Sequence, residues 1–264
     1  MRTIDLNADI GEAEDPSGIA SELAILHYVS SANIACGGHR GDEASMRRTV
    51  RAALEHGVQI GAHPAYPDRE NFGRKSMQLG HDISEEDLAN TITQQIKTLI
   101  KITQSEGSEV AYVKPHGALY NDSVNSPAHA DLIARVIKDI NPALGFLGAP
   151  QSQMGKAAAE HGLRFMAEGF IDRRYTDDGH LQSRQIDGAV IKNHSARMAQ
   201  AHALISTGEV ETASGNILSL KCDSLCLHGD SDGAVETAKA ARDLIEAAGV
   251  LICAVPLAAN NIAR

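Results

Sequence analysis

Four of the chain's twelve histidines stand in short polar stretches that directly follow apolar runs: His39 in CGGHRGD, His63 in GAHPAYPD, His116 in VKPHGALYND and His228 in CLHGDSD. Near the N-terminus, DLNADIGE interleaves Asp5, Asn7, Asp9 and Glu12 with apolar residues, so carboxylates join the imidazoles. Groups of these types transfer protons, activate water and ligate divalent metals. A lone histidine reads as a surface residue or a helix cap, as His56 and His161 do. Four at equivalent positions read as a site. A zinc, manganese or iron centre is one use for such a set, although no HExxH and no pair of histidines four apart supports it locally.

Lys114 lies two residues before His116 and therefore on the same side of a strand. It reads either as an ion pair with a neighbouring acid or as a cation held against an oxyanion, phosphate or carboxylate. The stretch EGFIDRRYTDDGHLQSR adds Asp172, Arg173, Arg174, Tyr175 and Arg184, and in isolation it reads as a solvated lid. No Walker glycine–lysine loop occurs, and no G-x-S-x-G nucleophile elbow.

Apolar runs alternating with helical periods are what must position these groups, a pattern of βα units and a parallel sheet. Strands are expected at Thr3 to Ala8, Ala32 to Ala35, Val58 to Ala62, Val110 to Lys114, Leu144 to Gly148, Arg164 to Ala167 and Ser224 to Leu227, with Val250 to Ala254 as an eighth. Helices are expected from about Glu43, after Ser84 in an S-x-x-D cap, and from Ser126-Pro127; Gly57 and Gly162 mark helix ends. Connections after the first, third and sixth strands are long, namely residues 9–18, 63–83 and 168–188. Long loops after strands form the active face of a β/α barrel. NADIGEAED after the first strand lacks the phosphate-binding glycines of a doubly wound sheet. We therefore expect an α/β fold, a TIM-like (β/α) barrel of seven strands, distorted, in a single domain over residues 1–264.

A formal charge of −10 and a pI near 5.6, with no basic run, argue against nucleic-acid binding. The N-terminus shows no secretory pattern and no apolar run reaches membrane-spanning length, so a cytoplasmic chain is expected. Cys36, Cys222, Cys226 and Cys253 are sparse and embedded in apolar runs, as structural thiols are.

Taken in order, DLNADIGE, SANIACGGHRGD, GAHPAYPD with FGRK, YVKPHGALYN, EGFIDRRYTDDGHLQSR and LCLHGD closely resemble the LamB/YcsF family, from the first strand to about Asp230. Gly38 stands where the family pattern leads us to expect an aromatic. The resemblance implies a barrel related to glycoside hydrolases and carbohydrate deacetylases. It also implies ATP-dependent cleavage of 5-oxo-L-proline to L-glutamate, with Mg accompanying ATP, in a complex with B and C subunits. Carried over by position, Asp9, Glu12, His116 and Lys114 are catalytic candidates, with Lys114 as an anion ligand. Asn7, His39, His63, Tyr120, Arg173, His228 and Asp230 are candidates for binding substrate or phosphate, and Asp9, His39, His63 and His228 for holding a divalent metal. Two other functions fit the same residues: a stand-alone metal-dependent amidohydrolase or deacetylase, and a non-catalytic subunit that binds small carboxylates.

Overall fold

The computed structural model describes residues 2–229 and 233–256. Strands β1 (Thr3–Ile10), β2 (Ser31–Ala35), β3 (Gln59–His63), β4 (Val110–Val113), β5 (Gly145–Gly148) and β6 (Phe165–Phe170) lie side by side, all parallel. A two-stranded hairpin, β7 (Glu209–Glu211) with β8 (Ile217–Ser219), then intervenes. After it β9 (Ser224–His228) pairs with both β6 and β1 and closes a seven-stranded barrel. The eighth expected strand shortens to β10 (Leu251–Ile252), which pairs only with Thr3 and Ile4, ahead of the point where β9 joins β1.

The helices are α1 (Pro16–Ile25), α2 (Glu43–Glu55), α3 (Glu85–Ser105), α4 (Gly117–Asn125), α5 (Pro127–Ile140), α6 (Gln153–His161), α7 (His194–Ser206) and α8 (Ala234–Ala247). Their starts are chemically marked, because the first backbone N–H groups of a helix lack intrahelical acceptors. Asp15, Asp42, Ser84, Ser126 and Asn193 each accept from a backbone N–H of the first turn. The expected glycine ends are present too, with Gly57 and Gly162 at φ 66° and 68°. The loop after β1 is shorter than expected, because Asp15 already caps α1. That helix buries Glu22 beside Ile25 and has only a weak apolar stripe, so periodicity gives no sign of it.

Period-two alternation sorts β1 into two faces. Leu6, Ala8 and Ile10 are fully buried in the main hydrophobic core, whose aliphatic residues come from both strands and surrounding helices. Asp5, Asn7 and Asp9 point into the lumen, where Asn7 reaches Ser224 at 2.7 Å and Glu168 at 3.0 Å across the ring. Tyr112, Leu147 and Met166 form a separate small apolar cluster. Polar groups otherwise fill the lumen by satisfying one another: Asp5 accepts from Ser30, Ser31 and Ser224, and Tyr112 donates to Asn33 at 2.7 Å.

Two glycines are there for space. A Cβ on Gly38 would meet the Gln95 side chain and stand 2.9 Å from the Ala65 carbonyl, so an aromatic has no room there. A Cβ on Gly61 would run into the Tyr112 ring, at the point where the β3–β4 register shifts. Gly61→Ala should therefore lower stability by about 1–3 kcal/mol through overpacking. Urea unfolding checks this, and an unchanged midpoint would show that the ring moves aside freely.

Candidate functional site

Because all seven barrel strands are parallel, their C-terminal ends share one rim, and the side chains there surround a cavity of about 530 Å³. Asp9, Glu12, His63, Lys114, His116 and His228 line its inner part; Arg74, Arg173, Arg184, Tyr120 and Asn121 also face it. His39 and Asn7 do not line the cavity but lie buried behind it. Asp230 lies outside the described residues.

The ring orientations of two histidines are set by backbone carbonyls, which only accept. His63 donates Nδ1–H to the Lys114 carbonyl at 2.7 Å, and His116 donates Nε2–H to the Phe72 carbonyl at 3.0 Å. Their remaining nitrogens, His63 Nε2 and His116 Nδ1, face each other at 3.0 Å. Around them stand Asp9 Oδ2, 3.4 Å from His63 Nε2, and Glu12 Oε1, 3.3 Å from His116 Nδ1. One ligand atom from each of Asp9, Glu12, His63 and His116 lies within 4.8 Å of all the others. Two carboxylate oxygens and two ring nitrogens that face one another this closely call for positive charge between them, which a proton on a ring or a bound cation can supply. An N₂O₂ donor set whose imidazoles give their other N–H to backbone carbonyls suits a divalent metal.

The donor set differs from the expected one by two residues. His39 donates Nε2–H to Glu12 Oε1 at 2.8 Å and stacks on His116 with centroids 3.6 Å apart. Its Nδ1 is buried with no hydrogen-bond partner. Burial, then the neighbouring His116, pushes the His39 imidazole down to about 3, so it is neutral and orients Glu12. His228 binds Asp172 through Nδ1 at 2.8 Å and directs Nε2 toward Asp9 from 3.9 Å. Glu12 and His116 take the two vacated places.

Burial alone would raise the Asp9 carboxyl, but His63 and Lys114 outweigh it and hold the group well below the usual carboxylate range. Burial likewise opposes ionisation of Glu12, and the His116 and His39 rings against it hold it low. Asp172 is similar: burial raises it, yet His228 draws it down to about 2. Three carboxylates of the inner site are therefore ionised at neutral pH.

Of the two readings its sequence context allows, Lys114 shows the ion pair with neighbouring acids. It is 2% exposed, and its ammonium lies 2.8 Å from Glu168, 3.0 Å from Asp9 and 3.0 Å from the Cys226 sulfur. Burial disfavours its charge, but Asp9, Cys226 and Glu168 more than compensate and keep it charged. Its first partners are the protein's own carboxylates.

A sequence model of the LamB/YcsF family matches residues 4–260. The chain belongs to that family. It is 44% identical over 252 residues to a protein from Mycobacterium avium strain 104 that is named as the A subunit of 5-oxoprolinase, covering 96% of this chain and 98% of the relative. The crystal structure of a lactam utilization protein from Thermus thermophilus superposes with a TM-score of 0.86 at 35% identity, over 96% of this chain and all of that one. A GH113 β-1,4-mannanase shares the fold alone, with a TM-score of 0.52 at 11% identity over 92% of this chain and 99% of its own.

Within this LamB/YcsF barrel, several site residues escape a reading of the sequence. Glu168 is 1% exposed and points into the lumen because β6 runs on to Phe170, three residues past its expected end. Asn33 donates to both Asn7 and Asp9 at 2.7 Å; its place between aliphatic neighbours in SANIA is the available signal. Cys226, expected to be purely structural, touches Lys114. The supposed solvated lid is anchored at its base: Asp172, Arg173 and Tyr175 are buried, Tyr175 accepts from Phe170 N–H, and the Gln200 amide donates to the Phe170 and Arg173 carbonyls. Exposure is concentrated in its distal part, from Asp177 to Gly188.

Proposed function

We propose that this chain is the A subunit of an ATP-dependent 5-oxoprolinase, opening the lactam of 5-oxo-L-proline to give L-glutamate together with B and C subunits. One observation carries the reading. In a family whose named relatives act on this lactam or utilise lactams, a single cavity joins water-activating donors to a cationic side.

A five-membered lactam is a poor electrophile, so coupling to ATP, with its Mg, makes chemical sense: phosphorylation of the amide oxygen activates the ring carbon, one water adds there, the ring C–N bond breaks as the nitrogen takes up a proton, and a second water hydrolyses the resulting acyl phosphate to the free carboxylate and phosphate. The complex holds the ATP, and this chain carries no Walker loop for it. We place the complex in the cytoplasm, in keeping with four free cysteines and no helix, among the described residues, long and apolar enough to cross a membrane.

The chain's own residues divide the work. Arg173, 4% exposed with its Nε lacking a hydrogen-bond partner, shares the cavity with Arg184 and Arg74 and supplies charge for the substrate carboxylate or a phosphoryl group. Burial and Arg184 push Arg173 down to about 10, which still leaves it charged at neutral pH. Asp9 and Glu12 accept the proton of an attacking water, with His63 and His116 fixing its position. His228, oriented by Asp172, presents Nε2 to return a proton to the departing nitrogen. Asp9, Glu12, His63 and His116 would hold a divalent ion, which supplies Lewis acidity to water and carbonyl when bound.

That donor set also favours a second reading, a metal-dependent amidohydrolase acting without ATP. Purified chain assayed with and without B and C for 5-oxoproline-dependent ATP hydrolysis and glutamate release separates them. The expected result is glutamate only from the full set with ATP. Chelator-sensitive amide hydrolysis by the chain alone would overturn the ATP-coupled reading. Substrate binding with no loss of turnover in active-site variants would indicate a carboxylate-binding subunit instead.

A further inference from the structure

Beside the main cavity lies a chamber of about 50 Å³, and the two share Tyr120, Asn121, Phe170 and Leu181. Two of its lining residues, Glu168 and Tyr120, each carry a buried polar atom with no hydrogen-bond partner, Oε2 and the hydroxyl. Both residues are buried, at 1% and 4% exposure. Glu168 spends its other oxygen on Lys114 and Asn7, so Oε2 is left over beside a fixed cation. Burial raises the Tyr120 phenol well above its ordinary value, so it offers an O–H. Buried polar atoms left unpaired cost about 1–3 kcal/mol each. A partner that satisfied both would bring one donor and one acceptor, and the two groups are near enough for the Glu168 charge to add to burial in raising the phenol.

A cyclic amide of small ring size presents both on one edge. Ring closure forces its N–H and C=O onto the same side, whereas an ordinary trans amide points them in opposite directions. We propose that this chamber reads the cis-amide edge of the lactam: Glu168 Oε2 accepts the ring N–H, and the Tyr120 hydroxyl donates to the carbonyl oxygen. The carbonyl oxygen keeps a second lone pair for the main cavity. The chamber is too small for the ring itself, so the ring remains in the main cavity and only its polar edge enters. Opening the ring destroys the edge, which favours release of the product. Glu168 and Tyr120 thereby become specificity residues that select cyclic over linear amides. This inference rests on the lactam reading proposed above.

The test uses the assembled complex with B and C. KM for 5-oxo-L-proline is measured together with the inhibition constant of its ring-oxygen analogue, 5-oxotetrahydrofuran-2-carboxylate, in wild type, Tyr120→Phe and Glu168→Gln. In wild type the analogue should bind at least about ten-fold more weakly than the lactam, because its ring oxygen opposes the Glu168 carboxylate. Glu168→Gln, able to donate, should narrow that gap. Tyr120→Phe should weaken both ligands about ten-fold without lowering the thermal midpoint, since the hydroxyl has no protein partner to lose. An unchanged gap in Glu168→Gln, or Tyr120→Phe indistinguishable from wild type, would overturn the inference and leave the chamber as a water site. If the wild-type complex does not turn over the lactam at all, the functional reading fails instead.

Discussion

Asp9→Ala in the assembled complex should reduce kcat by about a thousand-fold or more while the protein still folds. Asp9 is the side chain on which the inner site converges: Oδ1 accepts from Asn33 and Lys114, and Oδ2 faces His63 and, farther off, His228. Its removal takes away a proton acceptor and a donor of the N₂O₂ set together. Losing one positioned electrostatic group alone typically costs about 10²–10³-fold. His63→Ala should have a comparable effect and, like Asp9→Ala, should abolish retention of a divalent cation on equilibrium dialysis with manganese or zinc. Lys114 retains Glu168 as a partner, so the Asp9 variant leaves no buried cation unpaired. Steady-state kinetics with a circular-dichroism control reads the result. More than half of wild-type activity in His63→Ala would remove this cluster from the chemistry.

Lys114→Met should cost about 3–5 kcal/mol of stability at neutral pH. A buried ion pair contributes little compared with a well-packed apolar substitute, but deleting one partner strands the other. Here two carboxylates, Asp9 and Glu168, lose their shared cation inside the barrel. The pH dependence gives the mechanism its signature. In the wild type the folded-state pKa of Asp9 lies below its unfolded value, held there against burial by His63 and Lys114. Its contribution is therefore present above the unfolded pKa and lost as pH falls through the folded one. Without Lys114, burial of Asp9 is opposed by His63 and, more weakly, His228, and its folded pKa rises, so the variant should lose less stability than the wild type as pH is lowered from about 5 toward about 3. Urea unfolding across that interval measures both slopes. A variant as stable as the wild type at neutral pH would show that the lumen carboxylates do not need the ammonium.

Much of this molecule is legible locally. The alternation in DLNAD assigns Asp5, Asn7 and Asp9 to one face of a strand, and the long connections after β3 and β6 mark the functional end of the barrel. Where local patterns mislead, a distant partner decides the outcome. Lys114 reads as an anion ligand because nothing within its own segment shows that Glu168 lies across the lumen. Glu168 in turn falls in an expected loop, whereas pairing with β9, more than fifty residues further along, holds β6 extended to Phe170.

By itself, then, the sequence determined which residues leave the strands as polar groups and at which end of the barrel they appear, because strand period and loop length are encoded in neighbouring residues. Only the tertiary structure decided which of them meet. Closure of β9 onto β1, and the register of each parallel pair, bring Asp9, Glu12, His63 and His116 to one point, set His39 behind them and leave His228 on the cavity wall beside Asp172. Register between strands tens of residues apart is fixed by the packing of the whole ring, and the orientation of the His63 and His116 rings by the Lys114 and Phe72 carbonyls. No local pattern carries that information.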